Sequence, residues 1–225
     1  GEIMEKCIIK NEFLKAEISL CGAELKGLAG ESVEYVWKGD PKYWNRSAPF
    51  LFPIVGTLKD KETYINGELF KMGSHGFLRD QVFEVLSQKE NEVILVNVFN
   101  EETLAKYPFK YKAIVTYKLI EKSLKTEVEI FNLDLNDMPF NIGGHPAFNC
   151  PMFEGDTFED YAVHFEKEET FGGNNCILGI LLIVLLFYSL IKRIEIPELE
   201  LLFLPKVYSI ICFLLVIPFI IIGFR

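Results

Sequence analysis

Along much of the chain the apolar positions recur at every second residue, the period of a strand with one face buried and the other in water. Leu14, Ala16, Ile18 and Leu20 alternate with Phe13, Lys15, Glu17 and Ser19, and together with Cys7 to Ile9 they predict a hairpin. CGAELKGLAG, Cys21 to Gly30, follows as a strand interrupted by glycines. Asn66-Gly67 lies between Thr63-Tyr64-Ile65 and Leu69-Phe70. That pair predicts a two-residue hairpin turn, because both of its residues accept positive φ. Four more strands are predicted over Val82–Leu86, Val93–Phe99, Tyr111–Leu119 and Leu124–Leu133, with polar turns at Gln88 to Asn91 and Glu121 to Ser123. Only Glu101 to Tyr107 reads as a helix, and it is short. RSAPFLFPIVG, Arg46 to Gly56, carries an apolar run between two prolines, which predicts an extended buried segment. Strands this numerous at such spacing make the fold class mainly β, an antiparallel sandwich.

The pattern breaks near Phe171. From Gly172 to Arg225, 24 of 54 residues are Ile or Leu, and Ala, Asp, Thr, Gln, His, Trp and Met are all absent. The expected organisation is therefore a sandwich over residues 4–170 and a different tail over residues 171–225. Two apolar runs in the tail, Cys176 to Ile191 and Val207 to Phe224, would span roughly 24 and 27 Å as helices, borderline for a hydrocarbon core of about 30 Å. As a two-span hairpin they would place the Lys192-Arg193 loop on the cytoplasmic side. Membrane helices use Ala freely where they pack, however. A tail without Ala but saturated with Ile, Leu and Phe is what an A+T-rich gene read in a shifted frame would encode, and this is the preferred expectation. A membrane contact through residues 176–224 is the alternative.

Charge narrows the partners. Lys and Arg number 23 against 32 Asp and Glu, a formal charge of -9, which removes the attraction that nucleic acid requires. The five cysteines, at 7, 21, 150, 176 and 212, form no C-x-x-C pair and no metal-ligand spacing. They are expected as buried small hydrophobes in a reducing compartment. The N-terminal GEIMEKCIIKNEF carries charges where a secretion signal needs an apolar core, so the expected location is cytoplasmic. YVWKGDPKYW, Tyr35 to Trp44, predicts a structured loop whose Trp37 and Trp44 either stack on a sugar or fill the core; burial is the usual fate of such rings.

Two stretches carry chemistry. KMGSHGFLRD, Lys71 to Asp80, sets an imidazole, a guanidinium and a carboxylate beside two glycines, and NIGGHPAFN, Asn141 to Asn149, supplies a second histidine in a similar setting. Imidazoles exchange protons near neutral pH and guanidinium groups hold oxygen ligands through several donors, so the two stretches suit a hydroxyl-rich ligand. Plainer readings compete. A histidine beside glycine is often a turn residue, Arg79-Asp80 can be a mutual salt bridge, and His164 in YAVHFEKEE reads as an ordinary strand residue. Gly143 and Gly144 read as backbone necessities, for positive φ or close approach.

Five motifs in one order, GAEL at Gly22 to Leu25, GDPKYW at Gly39 to Trp44, RSAPFLFPIVG, HGFLRD at His75 to Asp80 and MPFNIGGHPAFN at Met138 to Asn149, resemble the aldose 1-epimerase (galactose mutarotase-like) family, in particular its LacX-like branch. The resemblance runs from about Met4 to Glu169. It implies a β-supersandwich, here incomplete at the C-terminus, and interconversion of the α and β anomers of an aldose. It matches His145 to the family's acid at the ring oxygen and His75 to a histidine that hydrogen-bonds the sugar. Arg79, and with a one-residue difference in spacing Arg46, match substrate-binding arginines of a hexose-phosphate branch. Ring opening needs an acid and a base on opposite parts of one sugar, and neither metal nor cofactor. The implied partner is a small sugar, a hexose or hexose phosphate. The family's base is a late glutamate for which no motif is present; Glu195, Glu198 and Glu200 match by residue type only. The expectation is therefore an impaired mutarotase, with a non-catalytic sugar-binding module and a membrane-anchored protein as alternatives.

Overall fold

A computed structural model of the chain describes residues 5–162. The alternation of the N-terminal segment becomes a hairpin of β1 (Lys6–Lys10) and β2 (Lys15–Ser19), with Cys7, Ile9, Ala16 and Ile18 buried. On the opposite face Glu17 bridges Lys6 and Lys15 at 2.8 and 2.7 Å. A tight turn with positive φ at Gly22 and Ala23 leads into β3 (Leu25–Ala29), which completes a three-stranded antiparallel sheet. β4 (Phe50–Leu51) is short. β5 (Glu62–Ile65) and β6 (Glu68–Lys71) form the predicted Asn66-Gly67 hairpin, whose two turn residues have φ of 51° and 86°. β7 (Glu84–Gln88) and β8 (Glu92–Val98) precede helix α1 (Glu101–Lys106), and β9 (Tyr111–Ile120) and β10 (Ser123–Asn132) follow it. These four strands make an antiparallel sheet in the order β10-β9-β8-β7. β11 (Gly143–Gly144) pairs with β4.

Period-two patterning decides which face of each sheet turns inward. Tyr111, Ala113, Val115, Tyr117 and Leu119 of β9 are all buried, and they share one core with Ile9, Ile18 and the β8 residues Val93 and Leu95. Each fully buried valine, leucine or isoleucine among them contributes roughly 1.5–3 kcal/mol. The tyrosines are admitted because their hydroxyls are satisfied: Tyr117 donates to the Ala23 carbonyl at 2.8 Å and Tyr111 to Asn97 Oδ1 at 2.7 Å. Phe52 lies at the centre of an aromatic group, with ring centroids 5.2 Å from Tyr111, 5.9 Å from Tyr107 and 6.1 Å from Phe77.

The structure corrects several expectations. Trp37 and Trp44 are half-buried and not core residues; the Trp37 indole N–H needs an acceptor and finds the Trp44 carbonyl at 3.1 Å, at the margin of the fold. Cys7 is buried, but Cys21 and Cys150 are only partly so. Gly143 and Gly144 do not have positive φ; they form the strand β11. The strand expected from Val82 begins at Glu84, since Val82 is 68% exposed and contributes only an isolated bridge to Cys21. Near the end of the described residues Phe158–Asp160 forms a 3-10 turn, and the backbone N–H and hydroxyl of Thr157 both donate to Asp160 Oδ2 at 2.8 Å. The apolar tail runs, His164, Cys176, Cys212 and the three tail glutamates lie outside the described residues. Among the described residues no helix is long and apolar enough to cross a membrane.

Candidate functional site

β6 delivers the chain into a bend where His75 and Gly76 both take left-handed backbone, with φ of 66° and 71°. Such a conformation is costly for histidine and persists only when the surroundings enforce it. The Gly56 peptide does so from both sides: the His75 N–H donates to the Gly56 carbonyl at 2.7 Å, and the Gly56 N–H donates to His75 Nδ1 at 3.0 Å. Because Nδ1 accepts that bond, the proton of the neutral ring resides on Nε2, and the ring presents an N–H donor. Gly76 lies against the backbone of Phe52, where a Cβ would come within 2.0 Å of the Phe52 carbonyl oxygen.

His145 follows β11 directly, and its N–H donates to the Pro49 carbonyl at 3.0 Å. The pairing of β11 with β4 thus brings the second histidine motif beside the RSAPF segment. The His145 ring is tilted against Trp44 at 5.0 Å and stands edge-on to the His75 ring at 6.3 Å. His145 is 8% exposed, and its Nδ1 is buried with no hydrogen-bond partner among the described residues. Burial holds both imidazoles below their ordinary 6.5, and the positive charge of Arg79 adds to this in each case. Both rings therefore favour the neutral form near pH 7.

Leu78–Asp80 forms a single 3-10 turn after Gly76, which carries Arg79 and Asp80 toward Arg46. Arg79 Nη2 donates to the Ser74 carbonyl at 2.9 Å, while its buried Nε has no hydrogen-bond partner and lies 3.9 Å from Asp80 Oδ2. The expected Arg79–Asp80 salt bridge is thus present but long. Asp80 has its tighter contact with Arg46 Nη2. Arg46 Nη1 donates to the Arg79 carbonyl at 2.9 Å and lies 3.6 Å from Glu24 Oε2. A cleft of about 510 Å³ opens beside this group, lined by Ser74, Gly76, Arg79, Asp80, Lys61 and Lys71 among others. It borders the histidines through Ser74 and Gly76, and neither imidazole lines it. Among the described residues no three His, Cys, Asp or Glu side chains gather as metal ligands would.

Glu24 is a site residue that motif reading passed over. It is only 4% exposed, and its Oε1 accepts the backbone N–H groups of Ser47 and, at 3.1 Å, Ala48, with Lys26 Nζ at 3.3 Å. It ties the GAEL turn to the segment that holds Arg46. The signal was present: a carboxylate between Ala23 and Leu25, both buried, calls for partners. Gly56, which sets the His75 tautomer, acts through its backbone and left no such signal.

A family model described as aldose 1-epimerase matches residues 5–178. The plasmid and chromosomal LacX proteins of Lactococcus lactis subsp. lactis are each 36% identical over 172 residues, covering 72% of this chain and 56% of the relative. Among solved structures, a galactose mutarotase-like protein from Lactobacillus casei is 39% identical with a TM-score of 0.63, covering 64% of this chain and 50% of that one. A galactose mutarotase related enzyme from Lactobacillus acidophilus is 37% identical with a TM-score of 0.67, covering 69% and 53%. The chain spans little more than half the length of the LacX proteins it matches.

Proposed function

The chain belongs to the aldose 1-epimerase family, and from that premise we propose that its two histidines and Arg79 form one wall of a sugar site of mutarotase type. The observation that carries this reading is the approach of the His75 and His145 rings to 6.3 Å from motifs far apart in sequence. In this reading an aldose binds with its ring oxygen toward His145, whose protonated form delivers a proton as the ring opens and takes it back as the ring closes. His75 donates through Nε2–H to a sugar oxygen, and the guanidinium of Arg79, a residue that lines the adjoining cleft, adds a positive charge. Ring opening also requires a base at the anomeric hydroxyl. Among the described residues, neither histidine is paired with a carboxylate: Glu24 is committed to backbone N–H groups and cations, and Asp80 to the arginines. The proposed activity is therefore aldose binding with anomer interconversion well below the rate of an enzyme that has both groups, since each typically contributes ~10²–10⁴-fold.

Polarimetry of freshly dissolved α-glucose or α-galactose, run beside calorimetric sugar titration, tests this. Relaxation near the buffer rate, measurable sugar affinity and little change in relaxation on His145→Gln are expected. Strong acceleration abolished by His145→Gln would mean that a base is present, and the tail glutamates Glu195, Glu198 and Glu200 would be tested next. No sugar affinity at all would end the reading.

A further inference from the structure

The contacts of Asp80 set it apart from the other charged residues of the cleft. Its side chain is 53% exposed, yet its two oxygens point at two different guanidinium groups, Oδ1 at Arg46 Nη2 and Oδ2 at Arg79 Nε, the latter at 3.9 Å. Both arginines are far less exposed, at 24% each. Two neighbouring guanidinium groups, of which Arg79 lines the cleft, are an arrangement that captures a tetrahedral oxyanion, because each presents a planar fork of donors. Here that position is taken by a carboxylate of the same chain. The contact to Arg79 is too long for a hydrogen bond, and Arg79 Nε is left as a buried donor without a partner. Asp80 thus balances the arginine charge without exhausting its donors.

We infer that Asp80 is a specificity-determining residue, occupying the place an anionic ligand group would take between Arg46 and Arg79, so that the cleft selects a neutral aldose over a phosphorylated one. This rests on the sugar reading of the site that Arg79 shares with the two histidines. A phosphate entering between the arginines either displaces a carboxylate tethered at high effective concentration or shares the site with a like charge. A neutral hydroxyl meets neither obstacle while Asp80 stays in place. The three lysines on the same cleft do not reverse the preference. Lys61 and Lys71 are exposed, Lys71 is paired with Glu62 at 3.0 Å, and Lys106 is paired with Glu102 at 2.6 Å.

The test compares the wild-type chain with Asp80→Asn and Asp80→Ser in calorimetric titrations with glucose, galactose, their 6-phosphates and inorganic phosphate. The wild type is expected to bind the free hexose at least ~10-fold more tightly than its 6-phosphate. In both variants the ratio of hexose to hexose phosphate affinity should fall by at least ~10-fold, and inorganic phosphate affinity should rise by a similar factor, the scale of one additional charge-assisted hydrogen bond. Wild-type preference for the hexose phosphate, or an unchanged ratio and unchanged phosphate affinity in the variants, would overturn the inference. So would loss of folding in both variants by circular dichroism, which would make Asp80 a structural strut. If no protein binds any sugar, the sugar reading fails by itself, and the inorganic phosphate titrations still decide the role of Asp80.

Discussion

A Cβ at residue 76 would meet the Phe52 carbonyl oxygen at 2.0 Å and would also have to tolerate a φ of 71°. The obstacle is backbone and cannot rotate away, so Gly76→Ala should cost roughly 3 kcal/mol or more in chemical denaturation. It should also disturb His75 next to it. Glu24 is the other residue on which the site depends: Glu24→Ala strips acceptors from two backbone N–H groups and leaves Arg46 and Lys26 without their buried partner. A loss of about 3–5 kcal/mol is expected by urea unfolding. The histidines add a pH dependence. Their folded pKa values lie below 6.5, so as pH falls the unfolded chain takes up protons before the folded one does. Their contribution is complete above about pH 7 and is lost as pH falls through 6.5 toward the folded values. Glu17 acts in a lower window. Lys15 and Lys6 hold its pKa near 2, so its exposed ion pairs weaken only between about pH 4.5 and 2. The urea midpoint should fall between pH 7.5 and 5.5, and by less in His145→Gln.

At the scale of elements, helix α1 shows how local chemistry defines a boundary. Asn100 Oδ1 accepts the Thr103 N–H at 2.9 Å while Thr103 Oγ1 accepts the Asn100 N–H at 2.9 Å, a reciprocal cap on a helix of six residues. A helix this short has little stability of its own. Asn100→Ala should cost about 1 kcal/mol or somewhat more, read from the thermal midpoint. The Asn100 side chain also donates to Gln81 Oε1 at 3.0 Å, so the same substitution loosens the attachment of the helix to the segment after Asp80. β9 and β10 are held differently, by a register unbroken over ten residue pairs. A shift of one residue would turn Tyr111, Val115 and Tyr117 outward, which fixes the register more firmly than any turn could.

At the scale of the whole molecule, the four-stranded sheet ends at β7 and β10, with no strand beyond either among the described residues. β7 exposes Val85 at 43% and Leu86 at 57% on that open edge. Such an edge invites pairing with another chain. Leu86→Lys should therefore reduce association on concentration or mild heating, measured by light scattering, with little change in the far-ultraviolet circular dichroism.

Much of this arrangement was legible in the chain itself. Alternation in β1, β2, β8, β9 and β10, the Asn66-Gly67 turn and the short α1 follow from side-chain period and turn chemistry, which act over a few residues and need no knowledge of the fold. The two histidine motifs could likewise be picked out locally, because they place polar, titratable groups beside glycines. What the sequence could not determine is which groups those motifs would meet. The partnership of Gly56 with His75, the anchoring of the Arg46 segment by Glu24 and the hold of Asp80 on Arg46 all join residues separated by 19 to 34 positions. The approach of His145 to His75 depends likewise on the β4–β11 pairing and on the bend at His75. Such long-range hydrogen bonds and ion pairs leave no periodic trace, since they are set by where the backbone returns in space and only the tertiary structure decides that.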